Sequence, residues 1–384
     1  MIIAVDEAIP FWQEAFLLLG EVRSFSGRDV SNRDVRDADA LIVRSVTTVG
    51  KDLLEGTSVR FVATATIGTD HLDRRYLESQ GIYSTSAAGS SANAVSEYLI
   101  AALLAVAGKR GWDLARMSLG IIGVGNIGKR VDLKARALGM TVLLCDPPLR
   151  DLTGDPKYLP FDEVLEADIL TFHVPLTIDG AYPTWQMINQ ETLRRLRPHQ
   201  FLINSSRGDV FSQNDVKTAL AHGKIAGAVL DVWHEEPSID GGLMNLVDIG
   251  TAHIAGYSLD ARIRATEMIF QELCSFWKVA RTWENRRHYP KTRHIALDSA
   301  FRGEKALRRI VLKAYDILKD DQKLRALKNL PKAELSRGFD QLRKEYRLRP
   351  EFEHFAVRLA PDHRTEAESL MEFGFQVHVS EPSN

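Results

Sequence analysis

The chain has 384 residues, with 49 Lys and Arg against 51 Asp and Glu and a net charge of −2. This balance provides no global positive field, so neither nucleic acid nor an anionic membrane is expected as a partner. Hydrophobic residues at 45% and charged residues at 26% are typical of a globular protein and exclude disorder and collagen-like repeats. Two cysteines, Cys145 and Cys274, are too few for a disulfide framework or a cysteine metal site, and they favour a reducing cytoplasm.

Neither a targeting segment nor a membrane span is expected from the sequence. The first apolar stretch, Met1–Val5, has no basic leader and runs directly into Asp6, unlike a signal peptide. The longest apolar run, Leu99–Ala107, is about half of the roughly 20 residues that a membrane helix requires. We therefore expect a cytoplasmic protein.

Short β-branched runs alternate with amphipathic helical stretches, which is the pattern of parallel sheets with crossover helices. The first lobe is expected to contain strands Ile2–Val5, Ala40–Val43, Arg60–Ala63 and Ile82–Ser84 and helices Phe11–Leu19 and Arg74–Ser79. A long apolar helix, Ser91–Ala107, whose side chains we assign to packing, precedes the second lobe. The strands expected there are Leu119–Ile122, Thr141–Cys145, Asp168–Phe172, Phe201–Ile203 and Ala226–Leu230.

The residue pattern changes after about Trp283. Residues 281–350 contain 20 Lys and Arg against 9 Asp and Glu, without a recognisable RNA- or DNA-binding motif. We interpret the excess as a solvated helical face or a subunit contact. Helical spacing at residues 307–317, a helix at Arg364–Glu372, and alternating apolar residues at 355–359 and 375–379 predict a small α+β domain.

A glycine-rich turn joins the first strand of the second lobe to a helix. The segment Gly123-Val124-Gly125-Asn126-Ile127-Gly128 follows the apolar run Leu119–Ile122. In this context the first glycine permits a tight turn, the second lets the backbone approach a pyrophosphate, and the third packs the helix near the strand. The motif predicts a dinucleotide site formed by Gly123, Gly125, Asn126, Ile127 and Gly128.

Asp146 ends the next predicted strand, 18 residues beyond Gly128, where a carboxylate can bind the adenosine ribose hydroxyls. Its charge would repel a 2′-phosphate, and Pro147-Pro148 supplies no adjacent arginine, so NAD is preferred to NADP. The structural alternative is that Asp146 caps a helix or turn. The order of strand, glycines and acid favours the cofactor interpretation.

Three polar segments follow predicted strands, where doubly wound folds bind ligands. They contain Arg207, Glu236 and His253. An arginine can bind a carboxylate and polarise a carbonyl, a histidine can exchange a proton near neutral pH, and an acid bonded to that histidine orients it. These residues therefore suit hydride transfer at an alcohol carbon.

Each member of this set also has a purely structural interpretation. The arginine could form a surface ion pair, the glutamate could be a turn acid before proline, and the histidine could be a hydrogen-bonded core residue. His71, His173 and His234 are rival bases, and His234 is the closest rival of His253. The joint placement of the set downstream of a dinucleotide motif favours catalysis.

These motifs resemble the D-2-hydroxyacid dehydrogenase family, through the glycine motif, Ser206–Asp209, Asp231 with Glu236-Pro237, and His253–Gly256. A more restrictive resemblance is to the branch of that family that oxidises 4-phospho-D-erythronate in pyridoxal 5'-phosphate (vitamin B6) biosynthesis. The segments that carry it are Leu41–Thr47, Thr66–Asp73, Cys145–Pro148 and His253–Ser258. The C-terminal region looks like the dimerisation domain of that branch, which implies a homodimer.

The resemblance implies roles for the residues at matching positions. Arg207, Glu236 and His253 would be catalytic. The expected substrate contacts are Ser45, Thr66 and Tyr257. The expected NAD contacts are Asp146, Val174, Ser205, Ser206, Arg207, Asp231 and Gly256, with Asp231 near the nicotinamide. No metal ligand is expected.

Three positions depart from the family pattern. The segment Gly89–Ala94, with Ser90-Ser91, lies where the family has Gly-Cys-Asn-Ala. Val174 replaces the threonine of His-Thr-Pro, so only the backbone of Val174 could contact NAD. Asp209 stands where a small apolar residue is common and adds negative charge near an anionic substrate site. These departures bear on substrate affinity more than on reaction type.

Together the observations predict an α/β fold with two doubly wound, Rossmann-like lobes and a small C-terminal α+β domain. The expected division is a substrate-binding lobe at 1–92 and 257–283, an NAD-binding domain at 93–256, and a dimerisation domain at 284–384. The expected reaction is NAD-dependent oxidation of 4-phospho-D-erythronate to 2-oxo-3-hydroxy-4-phosphobutanoate. The alternatives are another phosphorylated 2-hydroxyacid dehydrogenase, such as one that uses 3-phosphoglycerate, and an NAD-sensing interaction protein.

Overall fold

The computed structural model describes residues 1–297 and 300–380. The strands are β1 (Ile2–Asp6), β2 (Glu21–Phe25), β3 (Ala40–Val43), β4 (Phe61–Thr64), β5 (Tyr83–Ser86), β6 (Ser118–Ile122), β7 (Thr141–Cys145), β8 (Ile169–Phe172), β9 (Phe201–Asn204), β10 (Gly227–Leu230), β11 (Ile249–Gly250), β12 (Arg293–Ala296), β13 (Phe355–Leu359) and β14 (Gln376–Val379). The helices are α1 (Trp12–Phe16), α2 (Asn32–Val35), α3 (Lys51–Leu54), α4 (Arg74–Ser79), α5 (Ala92–Arg110), α6 (Asn126–Ala137), α7 (Pro147–Thr153), α8 (Phe161–Val164), α9 (Gln190–Arg195), α10 (Gln213–Ala221), α11 (Gly241–Leu246), α12 (Leu259–Trp277), α13 (Gly303–Ala314), α14 (Ile317–Arg325), α15 (Lys332–Lys344) and α16 (Arg364–Phe373).

The chain forms two compact units. Unit 1 comprises Met1–Ala92 and Ser258–Pro290. Unit 2 comprises Asn93–Tyr257 and the described residues from Lys291 onward, so the C-terminal region belongs to the same unit as the glycine-rich turn. The division into three domains stays a prediction.

Unit 1 is built on a five-stranded parallel sheet in the order β2-β1-β3-β4-β5. Every residue of β3 and β4 is buried, as expected for parallel strands that are covered on both faces. One face packs against α12, where Ile263 and Phe270 join the cluster of Ile3 and Val5. The other face packs against the short helices α2 to α4.

Unit 2 is built on a six-stranded parallel sheet in the order β11-β10-β9-β8-β6-β7. The chain runs outward in one direction from β6 to β7 and then in the other direction from β8 onward. Ligands of such sheets bind beyond the carboxyl ends of the strands that flank this reversal. The sheet order therefore places a ligand site beyond β6 and β8.

Helix α5 is long and apolar enough to cross a membrane by length and composition alone, but 83% of its most apolar 18-residue window is buried inside the structure. Leu99, Leu103 and Val106 belong to a core cluster that also contains Leu119 and Ile121 of β6. The structure uses its apolar side chains for packing, as the sequence analysis assigned.

The C-terminal region contains the predicted mixture of sheet and helices. Its sheet has the order β12-β13-β14, and all three strands are parallel. Helix α16 packs against α6, and the hydroxyl of Ser369 donates to the carbonyl oxygen of Ala137 at 2.7 Å. A buried ion pair between Arg349 and Glu97 also joins this region to α5, with 2.5 Å between Nη1 and Oε2.

The strands that the sequence analysis missed are β2, β11 and β12, and each lies at the edge of its sheet. An edge strand pairs on one side only and tolerates polar side chains, so it leaves no continuous apolar run. In β2 and β12 most residues are exposed, and β11 has two residues.

Candidate active site

The glycine-rich turn lies between β6 and α6, at the reversal of the unit 2 sheet. Gly123 has φ = +90°, and a Cβ there would lie 2.5 Å from the carbonyl oxygen of His173, which follows β8. A Cβ at Gly128 would lie 2.1 Å from the carbonyl oxygen of Gly123, so the helix could not pack this close with a larger residue. Beside Gly125, by contrast, nothing lies within 4 Å of an added Cβ.

Asp146 follows β7 and connects two elements at this edge. One carboxylate oxygen accepts from the backbone N–H of Val124 at 2.8 Å, and the other accepts from that of Leu149 at 3.0 Å. The second bond caps α7, so the helix-capping alternative describes part of what Asp146 does. Carboxylate oxygens have further lone pairs, so the same bonds hold the group in place for ribose hydroxyls.

The residues at this edge fit a dinucleotide. Helix α6 has 12 residues, and the N–H groups of its first turn have no partners within the helix and favour a phosphate. The Ser205 hydroxyl is buried and makes no hydrogen bond to any described residue, so it is available to a ligand. Ser206 instead donates its hydroxyl to Asn204 Oδ1 at 2.8 Å.

Arg207, Glu236 and His253 follow three strands that are neighbours in the sheet. Arg207 lies three residues after β9, Glu236 six residues after β10, and His253 three residues after β11. Because the strands are parallel, all three residues belong to segments that leave the sheet at its carboxyl edge. The glycine-rich turn and Asp146 leave β6 and β7 at the same edge.

His253 and Glu236 form a hydrogen-bonded pair, with 2.8 Å between Nδ1 and Oε2. An ionised carboxylate only accepts, so Nδ1 carries the proton and Nε2 presents its lone pair. Burial opposes the ionisation of Glu236, but His253, the guanidinium of Arg343 and the Trp233 N–H together hold its pKa below the ordinary value. The pair is thus arranged to accept a proton at Nε2 and to stabilise the resulting imidazolium.

The loop that carries His253 is held by Asp231. His253 has φ = +54°, a left-handed conformation that is costly for a residue other than glycine. The Asp231 carboxylate accepts from Thr251 Oγ1 at 2.6 Å, Ile254 N at 2.8 Å and Ala255 N at 2.9 Å. Its burial raises its pKa. These bonds stabilise the strained turn and fix where the imidazole lies.

Arg207 is positioned by Asn204 at the end of β9. The Asn204 amide donates to the Arg207 carbonyl oxygen at 2.8 Å, while its Oδ1 accepts from the Ser206 backbone at 3.0 Å. Arg207 itself donates from Nη1 to the Ser206 carbonyl oxygen at 2.8 Å. A planar, permanently charged guanidinium on this braced turn can bind a carboxylate bidentately.

The rival histidines have other environments. His173 is half-buried, with its Nδ1 shielded from solvent, and this burial lowers its pKa to about 3, so it is a poor proton acceptor near neutral pH. His234 is exposed, and its Nδ1 is hydrogen-bonded to the Asp209 carboxylate, so Asp209 has a partner other than His253 and Glu236. In unit 1, His71 lies 3.0 Å from Thr64 Oγ1.

The residues predicted to contact substrate are divided between the two units. Ser45 and Thr66 follow β3 and β4 in unit 1, and Thr66 Oγ1 lies 2.7 Å from Thr64 Oγ1. Tyr257 belongs to unit 2, where its backbone N–H donates to Ile254 at 2.8 Å. Arg44 binds the buried Asp6 through Nε at 2.9 Å and Nη2 at 3.1 Å.

Two other predicted positions have structural contacts. The Ser90 carbonyl oxygen accepts from Arg264 Nε at 2.9 Å, so the serine segment helps to hold α12. The side chain of Val174 would lie 2.9 Å from a Cβ at Gly123, so it packs beside the turn. Gly256 directly follows the segment held by Asp231.

Sequence reasoning missed Asn204, Thr251 and Arg343. Asn204 holds the backbone of its own segment, and Thr251 donates its hydroxyl to the Asp231 carboxylate. No sequence pattern predicts such contacts. Arg343 had a signal: Leu335, Phe339 and Arg343 recur every four residues, so the arginine continues the buried face of α15.

Comparison with known proteins places the chain in a family. The family model described as D-isomer specific 2-hydroxyacid dehydrogenase, NAD binding domain, matches residues 103–255, and a domain of unknown function (DUF3410) matches residues 287–374. The curated erythronate-4-phosphate dehydrogenase of Yersinia pestis (strain Pestoides F) is 40% identical over 382 residues, 99% of this chain and 100% of that protein. The chain belongs to the erythronate-4-phosphate dehydrogenase family.

Solved structures share this family's fold. D-lactate dehydrogenase from Aquifex aeolicus, complexed with NAD and lactic acid, has a TM-score of 0.60 and 25% identity, covering 73% of this chain and 100% of that one. NAD⁺-bound 3-phosphoglycerate dehydrogenase of Entamoeba histolytica has a TM-score of 0.62 and 20% identity, covering 72% and 95%, and supports the fold alone. Membership in the erythronate-4-phosphate dehydrogenase family confirms the predicted α/β fold, the NAD cofactor and the dehydrogenase class.

Proposed function

We propose that this protein oxidises C2 of 4-phospho-D-erythronate with NAD⁺, yielding 2-oxo-3-hydroxy-4-phosphobutanoate and NADH, as a step of vitamin B6 biosynthesis. The observation that carries the proposal is the 40% identity to an erythronate-4-phosphate dehydrogenase over 99% of this chain. The hydrogen-bonded His253–Glu236 pair beside the dinucleotide edge supplies the acid–base chemistry that this reaction needs.

When bound, NAD⁺ supplies a hydride acceptor. His253 Nε2 removes the proton of the C2 hydroxyl, and Glu236 stabilises the imidazolium through its bond to Nδ1. Arg207 binds the substrate carboxylate and polarises the forming carbonyl. Asp231 keeps the histidine in place through its bonds to Thr251 Oγ1 and Ile254 N.

Nucleotide contacts are assigned to the glycine-rich turn, Asp146, the backbone of Val174, and Ser205. Because Gly125 leaves open space beside the backbone, the pyrophosphate can approach there. The Ser205 hydroxyl, which is buried without a partner among the described residues, gains one from the cofactor.

Ser45, Thr66 and Tyr257 are the proposed contacts to the rest of the substrate. Arg44 is the guanidinium beside Ser45, and its bonds to Asp6 from Nε and Nη2 leave both N–H groups of Nη1 and the second N–H of Nη2 for a phosphate oxygen. We further propose that the protein is a cytoplasmic homodimer joined through its C-terminal region. Sedimentation equilibrium of the full chain tests the dimer, and a monomer at micromolar concentration would contradict it.

The decisive experiment measures initial NADH formation with 4-phospho-D-erythronate, 3-phosphoglycerate and unphosphorylated erythronate. A parallel arm adds a 2-oxo acid, which recycles any tightly bound reduced cofactor. The expected result is the highest kcat/KM with 4-phospho-D-erythronate. A preference for 3-phosphoglycerate would replace the substrate and keep the mechanism.

Absence of turnover on all three acids, with NAD binding shown by calorimetry, would contradict the proposed activity. That result would favour the alternative that the protein is an NAD-sensing interaction protein.

A further inference from the structure

Helix α15 of the C-terminal region carries an arginine to the catalytic pair. The Arg343 side chain is 18% exposed, and its Nη1 lies 3.8 Å from Oε2 of Glu236, the same oxygen that binds His253. Its Nη2 lies 3.5 Å from the hydroxyl of Tyr257. Arg343, Glu236, His253 and Tyr257 all belong to unit 2.

The contacts of Arg343 differ from those of structural arginines in the same region. Arg349 lies 2.5 Å from Glu97 and donates to the Ala94 carbonyl oxygen at 2.7 Å. Arg325 binds Asp321 at 2.8 Å. It also donates to the carbonyl oxygens of Met244 in α11 and of Val247, which follows that helix. A fold-stabilising arginine here is therefore held by direct, short hydrogen bonds.

Arg343 is held by longer contacts, at 3.5 Å to the Tyr257 hydroxyl and 3.8 Å to Glu236. Its buried Nε finds no acceptor among the described residues, but the same is true of Arg349 Nε, so this donor does not distinguish the two arginines. The difference lies in the partners of the guanidinium and in the lengths of its contacts. The groups that receive this charge are Glu236 and Tyr257.

We propose that Arg343 is a positioning residue of the active site, whose charge stabilises the ionised Glu236 that orients His253 and whose Nη2 orients the Tyr257 hydroxyl. The helix of the C-terminal region thereby completes the catalytic edge of the unit 2 sheet. This inference rests on the proposed function, because it takes His253 to be the proton acceptor.

The charges around the pair define the expected pH response. Glu236 faces His253 and Arg343, while Arg343 also faces Tyr257 and the buried Asp231. The positive charge of Arg343 favours the carboxylate but disfavours a second positive charge on the nearby imidazole. Removing it should therefore raise the pKa of the Glu236 carboxyl toward its ordinary value.

The test compares R343M, R343K and R343Q with the wild-type chain. In protein carrying ¹³C-labelled glutamate, NMR follows the Glu236 Cδ resonance against pH, assigned through E236Q. We expect R343M and R343Q to raise the Glu236 titration midpoint by about one pH unit. R343K, which keeps the charge, should stay near the wild type. The acidic limb of kcat/KM for 4-phospho-D-erythronate should shift in the same direction.

R337M is the matched control, because Arg337 lies exposed on the same helix. It removes one positive charge without touching the pair and should leave the midpoint unchanged. An unshifted midpoint in folded R343M or R343Q, or an equal shift in R337M, would overturn the proposal. If R343M does not fold, R343Q, which retains donors toward Tyr257, decides the result.

The NMR titration needs neither substrate nor turnover. Failure of every acid in the activity panel would therefore contradict the proposed function without affecting this result. Conversely, an active enzyme whose Glu236 titrates identically in all the folded Arg343 variants would contradict only the positioning role.

Discussion

In unit 1 the strand order reverses between β1 and β3, and in unit 2 it reverses between β6 and β8. Both sheets are parallel, and the first five strands of each, taken in chain order, follow the same spatial order. At the unit 1 reversal, Asp6 is fully buried and binds Arg44 through two hydrogen bonds. At the unit 2 reversal stand glycines and His173, a histidine that burial keeps uncharged.

The two units show that sheet topology determines where a ligand site can lie but not whether that site has a function. In unit 1, side chains of opposite charge satisfy each other at the reversal. In unit 2, the turn at Gly123 and the open space beside Gly125 leave backbone N–H groups available to an anion. Four experiments test this difference between the two units.

The largest expected effect is on the chemistry that we assign to unit 2. H253N should lower kcat by about 10²- to 10⁴-fold, because asparagine cannot accept the proton. Calorimetry should find NAD affinity within about twofold of the wild type, since His253 is not among the proposed cofactor contacts. Unchanged turnover in a correctly folded H253N protein would assign the base elsewhere.

The ion pair of unit 1 should contribute stability without contributing to cofactor binding. R44M leaves the buried Asp6 carboxylate with the Ala8 N–H at 2.9 Å but no cation. The free energy of unfolding in urea should fall by about 2–3 kcal/mol, below the usual loss for a fully buried pair because Arg44 is 31% exposed. If R44M weakened NAD binding by as much free energy as it lowers stability, the reversal in unit 1 would contribute to cofactor binding. The two reversals would then not differ in function.

His173 in unit 2 should make the free energy of unfolding depend on pH. The pKa of folded His173 is about 3 and its unfolded value is about 6.5, so the unfolded state binds the proton more readily. Its contribution is complete above pH 6.5 and is lost as the pH falls toward 3, reaching about 2 kcal/mol of lost stability by pH 5.

H173N should therefore lose less unfolding free energy between pH 7 and pH 5 than the wild type does. H378N, which changes an exposed histidine, serves as the control. Identical pH slopes for H173N and the wild type would indicate that His173 is accessible to protons in the folded state.

The smallest expected effect follows from filling the open space beside Gly125. G125A introduces no steric contact within 4 Å, so the melting temperature should change little. NAD should bind at least about tenfold more weakly, about 1.4 kcal/mol, because the methyl group occupies the proposed pyrophosphate approach. G241A, at a glycine outside the turn where an added Cβ would lie 3.6 Å from Leu335, an ordinary contact, should leave the affinity unchanged.

The pattern of residues was sufficient to predict the central strands and the position of the glycine-rich turn. β3 and β7 have the predicted bounds because their apolar residues form continuous runs. The edge strands β2, β11 and β12 carried no such run and were missed. The turn was predictable because three glycines stand at fixed spacing: Gly123 and Gly128 have no room for a Cβ, and Gly125 leaves open space for a ligand.

The candidate site could be predicted only in part. Strand ends indicated Arg207, Glu236 and His253, because parallel strands expose their carboxyl ends at one edge. The bonds from the Asp231 carboxylate to residues 251–255 were not predictable, since they depend on how the loops after β10 and β11 fold against each other. The approach of Arg343 depends on how α15 packs, because Arg343 lies 86 residues beyond Tyr257 in the chain.

The sequence by itself determined the alternation of strands and helices, the dinucleotide turn and the set of chemically competent side chains, because these follow from local sterics and residue chemistry. Only the tertiary structure decided that His253 pairs with Glu236, that Asp209 pairs with His234, and that the reversal in unit 1 is occupied by an ion pair. Hydrogen bonds and charge effects act over a few ångströms, and chain folding alone sets which distant residues come that close.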